Sequence, residues 1–190
     1  ASGHIPAAFA PDPFTEYFWY NDLGQQVYHV SFEGVVTEFQ YDTDSGGTGR
    51  LEETRFFQNL ADYRTWVAAP ATQNPAEVWV YSYDAFGRQT EVVVSRRDAN
   101  QMVVHRTEET DYDAQGRVVA ETGPEGVVHS VFDTETGRHT ETWTGSGTDA
   151  TAATTHTVYV YDTLGRLDEV RAVRRNGQVV DASTEAGSQP

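Results

Sequence analysis

Tyr83-Asp84-Ala85-Phe86-Gly87-Arg88 decides the fold, because its pattern of an aromatic residue, Asp, two variable residues, Gly and Arg recurs along the chain. The same spacing returns at residues 112–117 and 161–166, and two further copies have longer centres. Residues 20–25 form a worn copy with Asn and Gln in place of Asp and Arg. The motif residues of the full copies are Tyr41, Asp42, Gly49, Arg50, Tyr83, Asp84, Gly87, Arg88, Tyr112, Asp113, Gly116, Arg117, Phe132, Asp133, Gly137, Arg138, Tyr161, Asp162, Gly165 and Arg166.

The spacing of the motif predicts a tight turn. Asp at the first position of a type I turn accepts hydrogen bonds from nearby backbone N–H groups, and Gly at the fourth adopts a positive φ. That glycine also forms the bulge that lets a type I turn close a hairpin. The Arg guanidinium can return to the Asp carboxylate while its stem covers a neighbouring aromatic ring. Each motif therefore predicts the tip of a β-hairpin and has a structural role.

The copies are unevenly spaced. Their leading aromatic residues stand at positions 20, 41, 83, 112, 132 and 161. A unit of about 20 residues fits these positions if one copy is missing or eroded between residues 50 and 80 and two other copies carry insertions. In that interval helical spacing is shown by Phe56, Leu60, Tyr63 and Val67, and Pro70 follows, which predicts a short helix near residues 58–67. An irregular strand and loop fits the same residues equally well.

The segments that flank the motifs are rich in strand-forming residues, as in Val78-Trp79-Val80-Tyr81. The sequence therefore predicts an all-β fold, in which tandem antiparallel hairpins form a curled or spiralling repeat sheet. We expect an extended N-terminal segment over residues 1–16, the repeat domain over 17–181 and a flexible tail over 182–190.

The recurring Tyr-Asp-x-x-Gly-Arg core resembles the YD repeat of the Rhs family, which includes Rhs toxin shells, teneurins and the cocoon proteins of insecticidal toxin complexes. The resemblance implies a continuous antiparallel sheet that spirals into a hollow shell. It also implies a secreted or cell-surface location, and a wall that encloses or displays a partner. The partners would be further repeats of a longer chain or an enclosed polypeptide. Glycans are further candidates, since YD repeats have been linked to carbohydrate binding.

Composition excludes some partners. The formal net charge is −16, and all 13 basic residues are arginine. A surface this acidic repels nucleic-acid phosphates and anionic membrane surfaces. The apolar runs are too short for membrane insertion, and the absence of cysteine excludes disulfides and thiolate metal sites.

Sequence motifs of enzymes are missing. The chain contains no Gly-x-Ser-x-Gly, no phosphate-binding glycine loop and no His-Glu-x-x-His, so no catalytic residue is predicted. Acidic pairs such as Glu52-Glu53 and Glu108-Glu109 suit a polysaccharide-degrading enzyme only if they line a cleft. Charge facing solvent on strands explains them equally. Three functions stay open: a structural wall segment, a carbohydrate- or protein-binding adhesion module, and, as the lesser alternative, such an enzyme.

A second local pattern concerns calcium. Asp42, Asp44 and Glu53 nearly match the ligand positions of an EF-hand loop. The fifth position, however, is Gly46, which has no side-chain oxygen, and a strand rather than a helix is predicted before Asp42. A widened hairpin tip explains the same residues, so we expect no cofactor and keep calcium as the lesser alternative.

Overall fold

The computed structural model describes residues 4–12, 14–43, 47–70, 75–98, 102–147 and 149–180. These residues form thirteen β-strands that follow one another across the sheet in sequence order, with antiparallel pairing. The prediction of an all-β fold of tandem antiparallel hairpins with one short helix is confirmed. The strands are β1 (Tyr17–Tyr20), β2 (Gln26–Val30), β3 (Val36–Tyr41), β4 (Leu51–Phe57), β5 (Glu77–Tyr83), β6 (Gln89–Arg97), β7 (Val103–Tyr112), β8 (Val118–Gly123), β9 (Gly126–Phe132), β10 (His139–Thr144), β11 (Thr155–Tyr161), β12 (Leu167–Arg175) and β13 (Gln178–Val179).

The chain forms two compact units, residues 1–107 and 108–190, and the boundary falls within β7. The predicted boundaries at residues 16, 17, 181 and 182 stay predictions, and the tail of residues 182–190 lies outside the described residues.

Helix α1 (Leu60–Ala68) occupies the connection between β4 and β5. It begins after Asn59, whose side chain accepts a hydrogen bond from the Asp62 backbone N–H and so caps the helix. Pro70 follows its end. In the described part of residues 58–76 we find this helix and no further hairpin, which agrees with a copy that is missing between residues 50 and 80 and not with an eroded one. Phe56, which shares the helical spacing, lies in β4 and not in the helix. The uneven spacing of the motifs comes from connections of different length.

The core of residues 1–107 lies on one face of β2, β3 and β4. Val30, Val36 and Phe57 are almost fully buried there, together with Tyr63 of the helix. Ile5 of the N-terminal segment joins the same cluster. Burying a large apolar side chain stabilises the fold by about 1.5–3 kcal/mol, so the helix and the N-terminal segment hold this part of the sheet by covering one of its faces.

Residues 108–190 contain few buried apolar side chains in their described part, the main ones being Trp143 and Ala153. Trp143 packs against His129 of the neighbouring strand, with ring centroids 3.6 Å apart and nearly parallel planes. Cross-strand ring contacts of this kind contribute to stability where no helix covers the sheet.

Candidate functional site

The hairpin tip at Asp84 shows the turn chemistry of the motif. Asp84 Oδ1 accepts hydrogen bonds from the backbone N–H groups of Phe86 at 2.9 Å and Arg88 at 3.0 Å. The Gly87 N–H donates to the Asp84 carbonyl at 3.0 Å, and Gly87 has a φ of +87°. Arg88 Nε donates to Asp84 Oδ2 at 2.6 Å. The carboxylate therefore closes the turn from both sides.

The tips at Asp113 and Asp162 repeat this arrangement, with guanidinium-to-carboxylate distances of 2.6 and 2.7 Å. Hydrogen bonds from the backbone and guanidinium of Arg166 lower the pKa of Asp162. At Asp84 desolvation alone would raise the pKa, but the hydrogen bonds from Arg88 and Phe86 outweigh it and lower the pKa. These aspartates are thus held in the ionised state by the turn.

The two longer tips use other donors. Asp133 accepts hydrogen bonds from the backbone and hydroxyl of Thr136, each at 2.6 Å, and these lower its pKa. Asp42 accepts from the backbone of Thr48 at 2.8 Å. In both tips the glycine before the arginine keeps a positive φ. The turn therefore tolerates inserted residues between Asp and Gly.

The tyrosine that leads a motif also contacts the preceding hairpin. Tyr41 donates its hydroxyl to the carbonyl of Gln26 at 2.9 Å, Tyr83 to that of Leu51 at 2.8 Å, and Tyr161 to that of His139 at 2.8 Å. The accepting residue in each case directly follows the last motif position of the preceding hairpin. Phe132, which leads the fourth full copy, has no hydroxyl for such a bond.

Arg88 Cζ lies 5.2 Å from the ring centroid of Phe86 in its own turn, whereas in three other motifs the terminal arginine reaches forward to the next hairpin. Its Cζ lies 5.7 Å from the ring centroid of Tyr83 for Arg50, 4.4 Å from that of Phe132 for Arg117, and 5.6 Å from that of Tyr161 for Arg138. The guanidinium also covers the next motif's glycine: a Cβ on Gly87 would stand 2.7 Å from Arg50 Cζ. The arginine stem was expected to cover a neighbouring ring; for Arg50, Arg117 and Arg138 it is the guanidinium that lies near a ring, and the ring leads the following repeat.

We call this combination the hairpin joint. It has two parts: the leading tyrosine of a motif donates its hydroxyl to the preceding hairpin, and the last residue of the preceding motif lies over the ring and the glycine of the motif that follows it. The worn first copy makes a variant, because Gln25 Nε2 donates to the Gly49 carbonyl at 2.7 Å. Together these contacts engage the recurring Tyr, Gly and Arg positions in joining one hairpin to the next.

The three residues proposed as calcium ligands have different surroundings. Asp44 lies outside the described residues. Glu53 Oε1 is bound to Arg55 Nε at 2.6 Å, and Asp42 takes part in its own turn. Among the described residues, no group of three or more His, Cys, Asp or Glu is arranged to hold a metal ion. Calcium binding at this tip stays a prediction.

The acidic pairs proposed for an enzyme lie in two different surroundings. Glu53 is held by Arg55, whereas Glu52 is exposed beside a cavity described below. Glu108 and Glu109 line a shallow depression of about 270 Å³ with Glu121 and Glu125. Catalysis by these carboxylates stays a prediction.

A cluster of buried polar side chains, which the sequence analysis missed, lies beside the core of residues 1–107. Tyr28 donates its hydroxyl to Glu38 Oε1 at 2.9 Å, and Arg55 approaches Glu38 Oε2 at 3.2 Å. Glu38 is 5% exposed and Tyr28 2% exposed. His4 Nδ1 lies 3.4 Å from the hydroxyls of both Tyr28 and Tyr63. Burial raises the pKa of both tyrosines, so they stay protonated over the physiological range.

Sheet register explains how the cluster forms. Tyr28 pairs with Glu38 across β2 and β3, and Glu38 pairs with Arg55 across β3 and β4. Glu38 lies two residues after the buried Val36 and so points to the same face of the strand. A charged residue at an inward position of the alternating pattern was the available sequence signal.

The cluster forms part of the wall of a cavity of about 470 Å³, contained within residues 1–107. Residues 21–23 of the first tip and Trp66 of the helix also border it. The polar lining includes His4, Tyr28, Glu38, Gln40 and Glu52.

Comparison with known proteins finds no matching family model and no matching curated protein. Among solved structures, TcdB2-TccC3-Cdc42 is similar over 84% of this chain with 15% identity and a TM-score of 0.38, and TcdB2-TccC3 over 84% with 14% identity and a TM-score of 0.36. The chain covers 10% of the length of each. A protein of unknown function from Bacteroides fragilis is similar over 72% of this chain and 91% of its own length, at 17% identity and a TM-score of 0.22. These likenesses are distant and assign no family.

Within the described residues, α1 is far shorter than a bilayer span, and no helix has both the length and the apolar character needed to cross a membrane.

Proposed function

We propose that this chain is a structural YD-repeat module, a wall segment of a secreted or cell-surface protein that encloses or displays a partner polypeptide. The hairpin joint carries the proposal. The backward tyrosine bond and the forward-reaching side chain both use motif positions, and the tyrosine bond forms where the leading aromatic residues are 21, 42 or 29 positions apart. A contact that links neighbouring hairpins, whatever the length of the chain between them, is suited to building an extended wall.

The motif chemistry supports the same role. The aspartates at positions 84, 113 and 162 are engaged by their own turns, and their arginines are engaged by those aspartates. The resemblance of the motif to the YD repeat adds the expectation that the enclosed or displayed partner is a polypeptide.

The test is graded proteolysis of the native protein, in the longest form that cells produce. A wall predicts at least one polypeptide segment outside residues 17–181, covalently attached or tightly held, that survives protease while the hairpins stay folded. The matched variants are Gly87→Ala, which disturbs a joint, and Gly24→Ala, where a Cβ meets no atom within 4 Å. We expect the protected segment to become cleavable at lower urea concentration in Gly87→Ala than in Gly24→Ala.

A clear negative result is available. In the unmodified protein, protease could cut every segment outside the hairpins as fast as it cuts a free peptide of the same sequence. In that case the wall role is wrong.

A further inference from the structure

The cavity beside β2, β3 and β4 has the dimensions of a small-ligand site. Its volume of about 470 Å³ falls within the roughly 300–1,000 Å³ that is usual for such sites. Three strands, the helix, the first hairpin tip and the N-terminal segment contribute to its lining. Its polar wall is fixed in place, because Glu38 is bonded to Tyr28 and Arg55 and lies beside the packed core. The site is therefore formed before any ligand arrives.

The charge of the lining is negative. Asp22, Glu38 and Glu52 line the cavity, and none of its lining residues is arginine. Arg55 contacts both Glu38 and Glu53. These three side chains have two carboxylates and one guanidinium, and so keep a formal charge of −1. A charge removed from water interacts more strongly with a ligand than the same charge at the surface.

Most of the polar groups that line the cavity are hydrogen-bond acceptors. Carboxylate oxygens of Glu38 and Glu52 and the amide oxygen of Gln40 are acceptors, and the Tyr28 hydroxyl already donates to Glu38. A ligand with several N–H donors satisfies this lining, whereas an anion is repelled by it.

Two aromatic residues of the lining, Trp66 and Tyr28, are engaged in packing within the protein. The guanidinium of Arg55 lies over the Trp66 ring, with Cζ 4.9 Å from its centroid. Phe57 and Tyr63 pack against the same indole at 5.2 and 6.4 Å between centroids. Tyr28 is buried. Trp66 and Tyr28 thus support the polar wall, whereas Phe39 and Tyr41 line the cavity half-buried.

We propose that this cavity binds an organic cation through a primary ammonium or guanidinium group, held by Glu38 and Glu52. The group belongs either to a free amine or to a lysine or arginine side chain of a partner polypeptide. The chain itself contains no lysine. This inference is independent of the wall role and stands or falls on its own measurement.

The experiment is isothermal titration calorimetry at about 150 mM salt, where attraction between exposed charges is largely screened. Agmatine represents a free amine, and acetyl-Gly-Arg-Gly-amide represents a polypeptide side chain. The same tripeptide with citrulline in place of arginine removes the charge, and maltose tests a neutral polyol. The variants are Glu52→Gln and Glu38→Gln, and Glu33→Gln is the matched control because Glu33 is exposed and does not line the cavity.

We expect agmatine or the arginine peptide to bind, and the citrulline peptide and maltose not to. Glu52→Gln should weaken binding by about fivefold or more and Glu38→Gln by about tenfold or more, whereas Glu33→Gln leaves it unchanged. If Glu38→Gln does not fold, Glu52→Gln keeps the comparison, because its side chain is exposed. Tighter binding of agmatine assigns the site to free amines, and tighter binding of the peptide assigns it to a polypeptide.

Three outcomes overturn the proposal. One is equal loss in Glu33→Gln and Glu52→Gln, which means non-specific attraction to an acidic chain. Another is binding of maltose that Glu52→Gln weakens, which makes the cavity a polyol site. The third is the absence of heat with both cations in a protein that is folded by circular dichroism.

Discussion

Replacing Gly87 by Ala tests the hairpin joint directly. Gly87 has a φ of +87°, and an added Cβ would lie 2.7 Å from Arg50 Cζ, so the guanidinium must leave its place over Tyr83. An alanine held at positive φ costs about 1–2 kcal/mol. Losing a cation–π contact at a partly exposed site costs about 0.5–1 kcal/mol more. We therefore expect Gly87→Ala to lower the free energy of unfolding by about 1.5–3 kcal/mol.

Gly24→Ala is the matched control. Gly24 occupies the same turn position in the first tip with a φ of +77°, and a Cβ there meets no atom within 4 Å. It should lose only the backbone part, about 1–2 kcal/mol. A double-mutant cycle separates the two parts, because in an Arg50→Ala background Gly87→Ala should cost no more than Gly24→Ala.

The assay is urea unfolding followed by tryptophan fluorescence, with free energies from linear extrapolation. Trp19, Trp66 and Trp79 report on residues 1–107, which contain all three substitutions. Equal costs for Gly87→Ala and Gly24→Ala with Arg50 intact would refute the joint. If neither substitution has a cost, the positive φ at the fourth turn position is wrong.

Three further predictions use other parts of the motif. Tyr83→Phe removes the hydroxyl bonded to the Leu51 carbonyl and should cost about 1 kcal/mol in urea unfolding, whereas Tyr20→Phe, at a side chain that is 61% exposed, should cost almost nothing; equal effects would contradict the backward bond. The folded-state pKa of Asp162 lies below the ordinary 3.8, so its contribution is present above about pH 4 and is lost as the pH falls through the lowered value. Asp162→Asn should therefore flatten the acid limb of the urea midpoint measured against pH, and an unchanged curve would count against the ionised turn. Calcium at about 1 mM should leave the melting temperature unchanged, and a rise that Asp42→Asn abolishes would instead support the calcium loop.

The hairpin tips could be predicted because their chemistry is local. Asp84, Gly87 and Arg88 lie within five consecutive positions, and the bonds that close the turn join these same residues. The helix was predicted from equally local signals, the spacing of its apolar residues and the following Pro70, and the observed Leu60–Ala68 is close to the predicted 58–67.

Contacts between residues that are far apart in the sequence were not predicted. Tyr28, Glu38 and Arg55 meet only once the register of three strands is set, and His4 reaches them from a segment without regular structure. The forward reach of Arg50 to Gly87 spans 37 positions and likewise depends on register. The sequence left open whether the copy between residues 50 and 80 was missing or eroded, because the connections between hairpins vary in length independently of the tips.

The hairpin joint has a consequence for how such a protein changes over generations. Arg50 and Arg138 each cover the ring and the glycine of the next motif, and the tyrosine there bonds back to the preceding hairpin. A hairpin duplicated at such a junction would meet a neighbour that already fits. Recombination between copies of the gene segment can then lengthen or shorten the array in whole hairpins without new compensating substitutions. The connections at the other end of the strands lie outside this constraint, and the one between β4 and β5 contains the helix. The number of hairpins can therefore change through the tips, while the connections at the other end of the strands vary in length.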